Sequence, residues 1–214
     1  MRFSFVRSIL VFISLLMMTP IVYALTPSSE LNALLSSIHS MQADFVQTIY
    51  DNRGKAVQQS YGQMAIQRPG KFRWQVTKPI PQLIIANGAR LWIYDRDLEQ
   101  VTIRALHQAA GETPGLLLSH EDRTLDEDYD IKTSQTAAGG LRWFILSPKK
   151  PDNTIALVQM GFANNQIQQM KLKDHLGHTT LIQFKNTKIN IPLASSLFTL
   201  KIPANVDVID EARR

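Results

Sequence analysis

Apolar residues recur along this chain with two different periods, and the changeover falls just after residue 41. Leu31, Leu34, Leu35, Ile38 and Met41 stand three or four apart, with Ser, Asn and Gln between them. That spacing lines up side chains along one face of a helix. Thr26 precedes Pro27, so a hydroxyl can accept from the first turn's free N–H groups, and proline takes the position where its missing N–H costs nothing. The spacing predicts one helix over 27–41.

From Ala43 the period is two. Phe45, Gln47 and Ile49 alternate with Val46, Thr48 and Tyr50, Asp51-Asn-Arg-Gly54 turns the chain, and a partner strand is expected at 56–67. Over 71–77, Phe72, Trp74 and Val76 fall on one face and Lys71, Arg73 and Gln75 on the other, the signature of a half-buried strand. The runs 82–86 and 91–94 flank the turn Asn87-Gly88 and are apolar on successive residues, so that hairpin reads as buried on both faces. Further strands are expected at 99–104, 129–134, 142–147, 155–162, 167–173, 179–185 and 198–202. Between the halves, Thr113-Pro-Gly-Leu-Leu-Leu-Ser119 is apolar all round and suits one or two helical turns. Glu121 to Asp130 carries six acids and one Arg, as a solvated loop would. Two-faced strands need more cover than two helices give. The sheet therefore either curls on its own side chains or encloses something apolar, and the pattern by itself favours the self-filled barrel.

The first 24 residues stand apart. Arg2 and Arg7 precede the apolar run Ser8 to Met18, Thr19-Pro20 breaks it, and Val22-Tyr23-Ala24 places small residues where a signal peptidase reads. The run is short for a span, which takes ~20 apolar residues. Cleavage after Ala24 is expected, leaving 25–214 as one exported domain. Of the 214 residues, 23 are Lys or Arg and 18 Asp or Glu. Loss of Arg2 and Arg7 leaves 21 basic against the same 18 acidic side chains. So mild and scattered a basic excess, on an exported chain, argues against nucleic acid as a partner. The chain has no cysteine, which excludes disulfides, Cys-ligated metals, a Cys nucleophile and lipidation at a Cys following the signal. A freely soluble monomer is expected.

The search for catalytic chemistry returns little. G-x-S-x-G, H-E-x-x-H and the P-loop pattern are all missing. His175 and His178 flank Gly177 in what reads as a hairpin turn, with only Asp174 beside them, and a turn decoration outweighs a metal site. His39, His107 and His120 fall on separate elements. Asp126, Glu127 and Asp128 are adjacent acids on a polar loop, without the burial that would split their protonation. No catalytic residue, metal or cofactor is expected. Arg68 stands out: it precedes Pro69 at a strand end, just before Phe72 and Trp74. A surface arginine is the ordinary reading; the alternative sets its planar, multi-donor fork against carbonyls of a neighbouring loop or helix end.

Six blocks in order resemble the LolA family of periplasmic outer-membrane lipoprotein carriers. They are Met41-Gln-Ala-Asp-Phe-Val-Gln47, Gln67-Arg-Pro-Gly-Lys-Phe-Arg-Trp74, Asn87-Gly-Ala-Arg-Leu-Trp-Ile-Tyr94, Glu112-Thr-Pro-Gly-Leu-Leu-Leu118, Asp174-His-Leu-Gly-His-Thr-Thr180, and Leu197-Phe198 with Asn205-Val-Asp-Val-Ile209. The resemblance implies a mainly β (α+β) fold: a strongly curved, incomplete antiparallel β-barrel whose apolar concave face is covered by a helical lid. That displaces the self-filled barrel. It implies that Leu35 and Ile38 on the first helix and Leu116 and Leu117 on the short one form the lid's underside, that Phe72 and Trp74 line the sheet side of an acyl-chain site, and that Arg68 locks the lid through backbone carbonyls. Gly115 departs from expectation, because a large apolar residue would be natural on a lid helix and glycine costs ~1 kcal/mol of helical stability. The implied function is a periplasmic chaperone that accepts acylated lipoproteins from the inner-membrane ABC transporter LolCDE and delivers them to the outer-membrane receptor LolB. Two other classes compete. A regulatory lipoprotein sensor of the same fold would carry a further domain, and an exported hydrolase would need an assembled nucleophile.

Overall fold

The computed structural model describes residues 25–88, 90–106, 114–119, 125–134, 140–150 and 155–212. The predicted signal segment, His107, His120 and the head of the acidic loop lie outside these residues.

Helix α1 (Pro27–Ser36) opens as expected, with the Thr26 hydroxyl accepting from the Ser29 N–H at 3.2 Å and proline in the first turn. It ends earlier than the apolar spacing predicts. Ile38 lies in the connection and Met41 already on β1 (Ser40–Tyr50). The reason sits far away in sequence. Asn190, held at φ 55°, accepts from the N–H groups of His39 at 2.8 Å and Ser40 at 3.4 Å, and its amide donates to the Ser37 carbonyl at 2.9 Å. These bonds turn the chain out of the helix and into the sheet.

Eleven further strands follow: β2 (Ala56–Gln67), β3 (Lys71–Lys78), β4 (Gln82–Asn87), β5 (Arg90–Asp95), β6 (Gln100–Ala105), β7 (Tyr129–Ser134), β8 (Arg142–Pro148), β9 (Ile155–Ala163), β10 (Gln166–Asp174), β11 (Thr179–Ile189) and β12 (Asp207–Asp210). They form one sheet in the order β12-β6-β5-β4-β3-β2-β1-β11-β10-β9-β8-β7. Every pairing is antiparallel except the parallel contact of β12 with β6. β12 and β7 are free edges, so the barrel is incomplete. Four residues of β12 cover the β6 edge, and the Arg104–Glu211 pair at 2.7 Å pins the chain just beyond it.

The expected strand at 198–202 is not formed. Ser195–Phe198 is instead a 3₁₀ turn followed by irregular chain. It lies on the convex side of β3 and β4, where Arg73 Nη1 donates to the Leu197 carbonyl at 3.0 Å and Phe198 is buried. This explains the two-faced strands. Leu83 and Ile85 on β4, the strand this segment touches, and Val101 and Ile103 on β6, which pairs with β12, are buried outside the main core cluster.

The main core occupies the concave side. It joins α1 (Leu31, Leu35) and the neighbouring Ile38 to Met41, Phe45, Met64, Phe72 and Trp74 on one wall, and to Phe144, Met160, Phe162, Met170 and Ile182 on the other. The segment Pro114–Leu118 forms a single 3₁₀ turn that begins before Gly115, and its Leu116, Leu117 and Leu118 enter the same cluster. Helix and turn together cap one end of the concave face.

Candidate functional site

The concave face divides into a filled half and a hollow half. At the capped end, side chains pack with almost no solvent access: Phe72 is 0% exposed, and Leu116 and Leu117 are 2% and 3% exposed. Phe45 stacks on Trp74 with ring centroids 3.7 Å apart, and Trp74 lies nearly parallel to Phe72 at 6.3 Å. This stack depends on Gly62, whose Cβ would stand 2.5 Å from the Phe45 ring and 2.1 Å from the Gln75 carbonyl oxygen. Nothing near Gly62 in sequence announces that, because the ring it accommodates comes from the neighbouring strand.

The opposite end, ringed by the β1–β2, β3–β4 and β10–β11 turns, is open. There a cavity of about 510 Å³ is floored by Trp74, Val76, Ile84, Ile155 and Leu172, within the ordinary range for small-ligand sites. Its rim is polar and includes Asp95, Asp174 and His178. Burial alone would raise the Asp174 carboxyl. The hydrogen bonds from the His178 ring, at 2.9 Å, and from the His178 backbone N–H, at 2.8 Å, bring it net below the usual carboxylate range. His175 sits in the β10–β11 turn and His178 just after it, and no group of three metal-ligating side chains occurs among the described residues.

The residues singled out from the sequence distribute unevenly between these halves. Leu35, Ile38, Phe72, Leu116 and Leu117 are brought together, but in the filled half; of the six, only Trp74 also borders the open cavity. Arg68 belongs to the capped end. Its Nη2 donates to the Leu118 carbonyl at 2.8 Å, and its backbone N–H to the His39 carbonyl at 2.9 Å. One residue at the β2–β3 turn thus holds both the 3₁₀ turn and the exit from α1. The cap has a second attachment on the far wall, where Glu30 pairs with Arg142 on β8 and the Asn32 amide donates to Asp126 at 3.4 Å.

Comparison with known proteins gives this arrangement its family. Residues 36–201 match the family described as outer membrane lipoprotein carrier protein LolA. The chain belongs to the LolA family. Curated relatives called outer-membrane lipoprotein carrier protein include one from Methylococcus capsulatus, 41% identical over 87% of this chain and 88% of its own. Another, from Azotobacter vinelandii, is 36% identical over 92% of this chain and 97% of its own. Among solved structures, a LolA-superfamily protein of Nitrosomonas europaea superposes with a TM-score of 0.50 at 14% identity, covering 83% of this chain and 99% of that one. At that identity the likeness concerns the fold alone: the open, curved sheet with its cap is the LolA architecture. No helix among the described residues is long and apolar enough to cross a membrane.

Proposed function

We propose that this LolA-family chain is a periplasmic carrier, a single domain spanning 25–214 after removal of its leader, that takes acylated lipoproteins from LolCDE in the inner membrane and hands them to LolB at the outer membrane. The physical need is clear. Each buried acyl CH₂ contributes about 0.8 kcal/mol, so a multiply acylated protein leaves a bilayer too slowly to cross water unaided. A concave apolar face that can shut over itself removes that barrier. The chain carries no P-loop pattern, so energy for loading has to come from the transporter, and hand-over then needs only a gradient of affinity. It is a carrier and not an enzyme.

The observation that carries this reading is the half-hollow, half-filled concave face under a cap tied by Arg68. With Leu35, Ile38, Leu116 and Leu117 packed against Phe72 and Trp74, the capped end has no room for an acyl chain. Ligand entering from the open cavity therefore competes with the cap for the same apolar surface. Closing the empty carrier favours release, and opening favours capture. Arg68 sets the balance by stabilising the closed arrangement.

The test uses the purified protein, inner-membrane spheroplasts bearing a labelled triacylated lipoprotein, and an active transporter with ATP. The label is expected to appear in a soluble complex of fixed stoichiometry. Retention of all label in the membrane, with the transporter verified active, would refute the carrier role.

A further inference from the structure

The lining of the open cavity changes character along the register of its walls. On β4 and β5 the inward pair Ile84 and Ile93 is followed, nearer the mouth, by Gln82 opposite Asp95. On β1 and β2, Phe45 opposite Gly62 is followed by Gln47 opposite Ser60, then Ile49 opposite Gln58. On β10 and β11, Leu172 opposite Thr180 is followed by Asp174 and the turn bearing His178. A polar arc thus crosses three walls alongside the apolar floor, with Gln82 opposite Val76 and Gln47 one register step inside the row Leu172–Thr180–Ile49.

Most of the arc is already engaged. Asp95 accepts from the backbone N–H groups of Asp97 at 3.1 Å and Leu98 at 3.2 Å, Asp174 is held by His178, and the Gln58 amide donates to Ser60 at 3.4 Å. Gln47 and Gln82 differ. Both are half-buried and face the cavity, and neither side chain has a hydrogen bond among the described residues.

We infer that Gln47 and Gln82 form a subsite for the carbonyl-bearing linkage of an acylated ligand, the ester or amide group where a fatty chain meets its polar head. The inference rests on the carrier reading and adds to it the chemistry recognised at the mouth. A chain laid along Trp74, Val76 and Ile84 strips water from both amides. Hydrocarbon offers them nothing in return, and a desolvated, unpaired amide counts against binding. A primary amide carries two donors and one acceptor. An ester carbonyl satisfies a donor, and an N-acyl amide satisfies a donor and the acceptor. The pair therefore fixes how far the tail enters and selects ligands whose polar linkage falls at that depth. Being neutral, it suits a neutral linkage, whereas an ammonium head would be drawn to Asp95 and Asp174.

Three twelve-carbon probes test this by displacement of a fluorescent fatty probe from the purified protein: 1-monolauroylglycerol, 1-O-dodecylglycerol, which lacks only the carbonyl, and dodecylamine. The ester is expected to bind about tenfold more tightly than the ether, equivalent to ~1.4 kcal/mol. The paired change Gln47→Met and Gln82→Met, which keeps side-chain volume, should bring that ratio within twofold. Equal binding of ester and ether by the unaltered protein overturns the subsite, and so does a ratio that survives the paired change or tightest binding by the amine. Binding of none of the three overturns it together with the carrier reading; equal binding leaves that reading standing.

Discussion

Arg68 ties three pieces of chain together: the end of β2, the exit from α1 through its backbone, and the Leu118 carbonyl through its guanidinium. A hydrogen bond from a charged donor contributes about 1.5–3 kcal/mol. If that energy belongs to the closed arrangement alone, its loss raises the open fraction about tenfold or more, and apparent ligand affinity rises in proportion. Arg68→Leu is therefore expected to load cargo at least as well as the unaltered protein but to retain about ten times more of it when LolB is offered. Transfer to the receptor at the normal rate and extent would dissociate Arg68 from the cap. The sequence singled this residue out by its place before a proline at a strand end, where a surface arginine was the ordinary reading, and only the family resemblance implied a role at the cap. Gly62, Gln47 and Gln82 were not singled out. A glycine or glutamine in an alternating strand looks ordinary, and only the register shows the Phe45 ring over one and the cavity in front of the others.

The expected elements follow the chain's two periods closely through the hairpins, where turn chemistry and alternation are both local. The departures occur where distant residues decide. Asn190 stops α1 at Ser36 by supplying acceptors to His39 and Ser40 and a donor to Ser37, from 150 residues away. Removing that amide leaves three backbone groups without their protein partner. Asn190→Ala is expected to lower global stability by about 1–2 kcal/mol in chemical denaturation, with faster amide hydrogen exchange concentrated over 36–41. Unchanged exchange there would mean that the α1–β1 junction is set by packing alone. The C-terminal elements show the same limit. Leu197-Phe198 carries the apolar signal of a strand, yet Phe198 serves as cover for the convex face, where Arg73 binds the Leu197 carbonyl. Burial, with a smaller push from the Arg96 charge, lowers the Arg73 guanidinium from its ordinary value. The strand that does form, β12, is short, and its parallel partner lies about a hundred residues earlier, so no hairpin signal marks it.

At the scale of the whole molecule, the opposition between a self-filled barrel and one that encloses something apolar dissolves, because the concave face is both. The capped end is filled by its own side chains and the mouth end is hollow. Composition and period could not separate these cases, since Trp74, which borders the cavity, and Phe72, which is wholly in the core, carry the same alternating signal on the same strand. On the proposed carrier reading, the hollow half is where an acyl chain begins to enter and the filled half is a reserve of apolar surface that an opening cap would expose. The most direct test loads the protein with a lipoprotein whose acyl chains carry a photoreactive diazirine, irradiates the soluble complex and maps the adducts by mass spectrometry. The predicted adducts fall at the inward positions of the cavity floor, Trp74, Val76, Ile84 and Leu172, and extend to Phe72, Leu116 and Leu117 beneath the cap. Adducts confined to the convex face, along 195–210, would contradict the claim that the concave face carries the cargo.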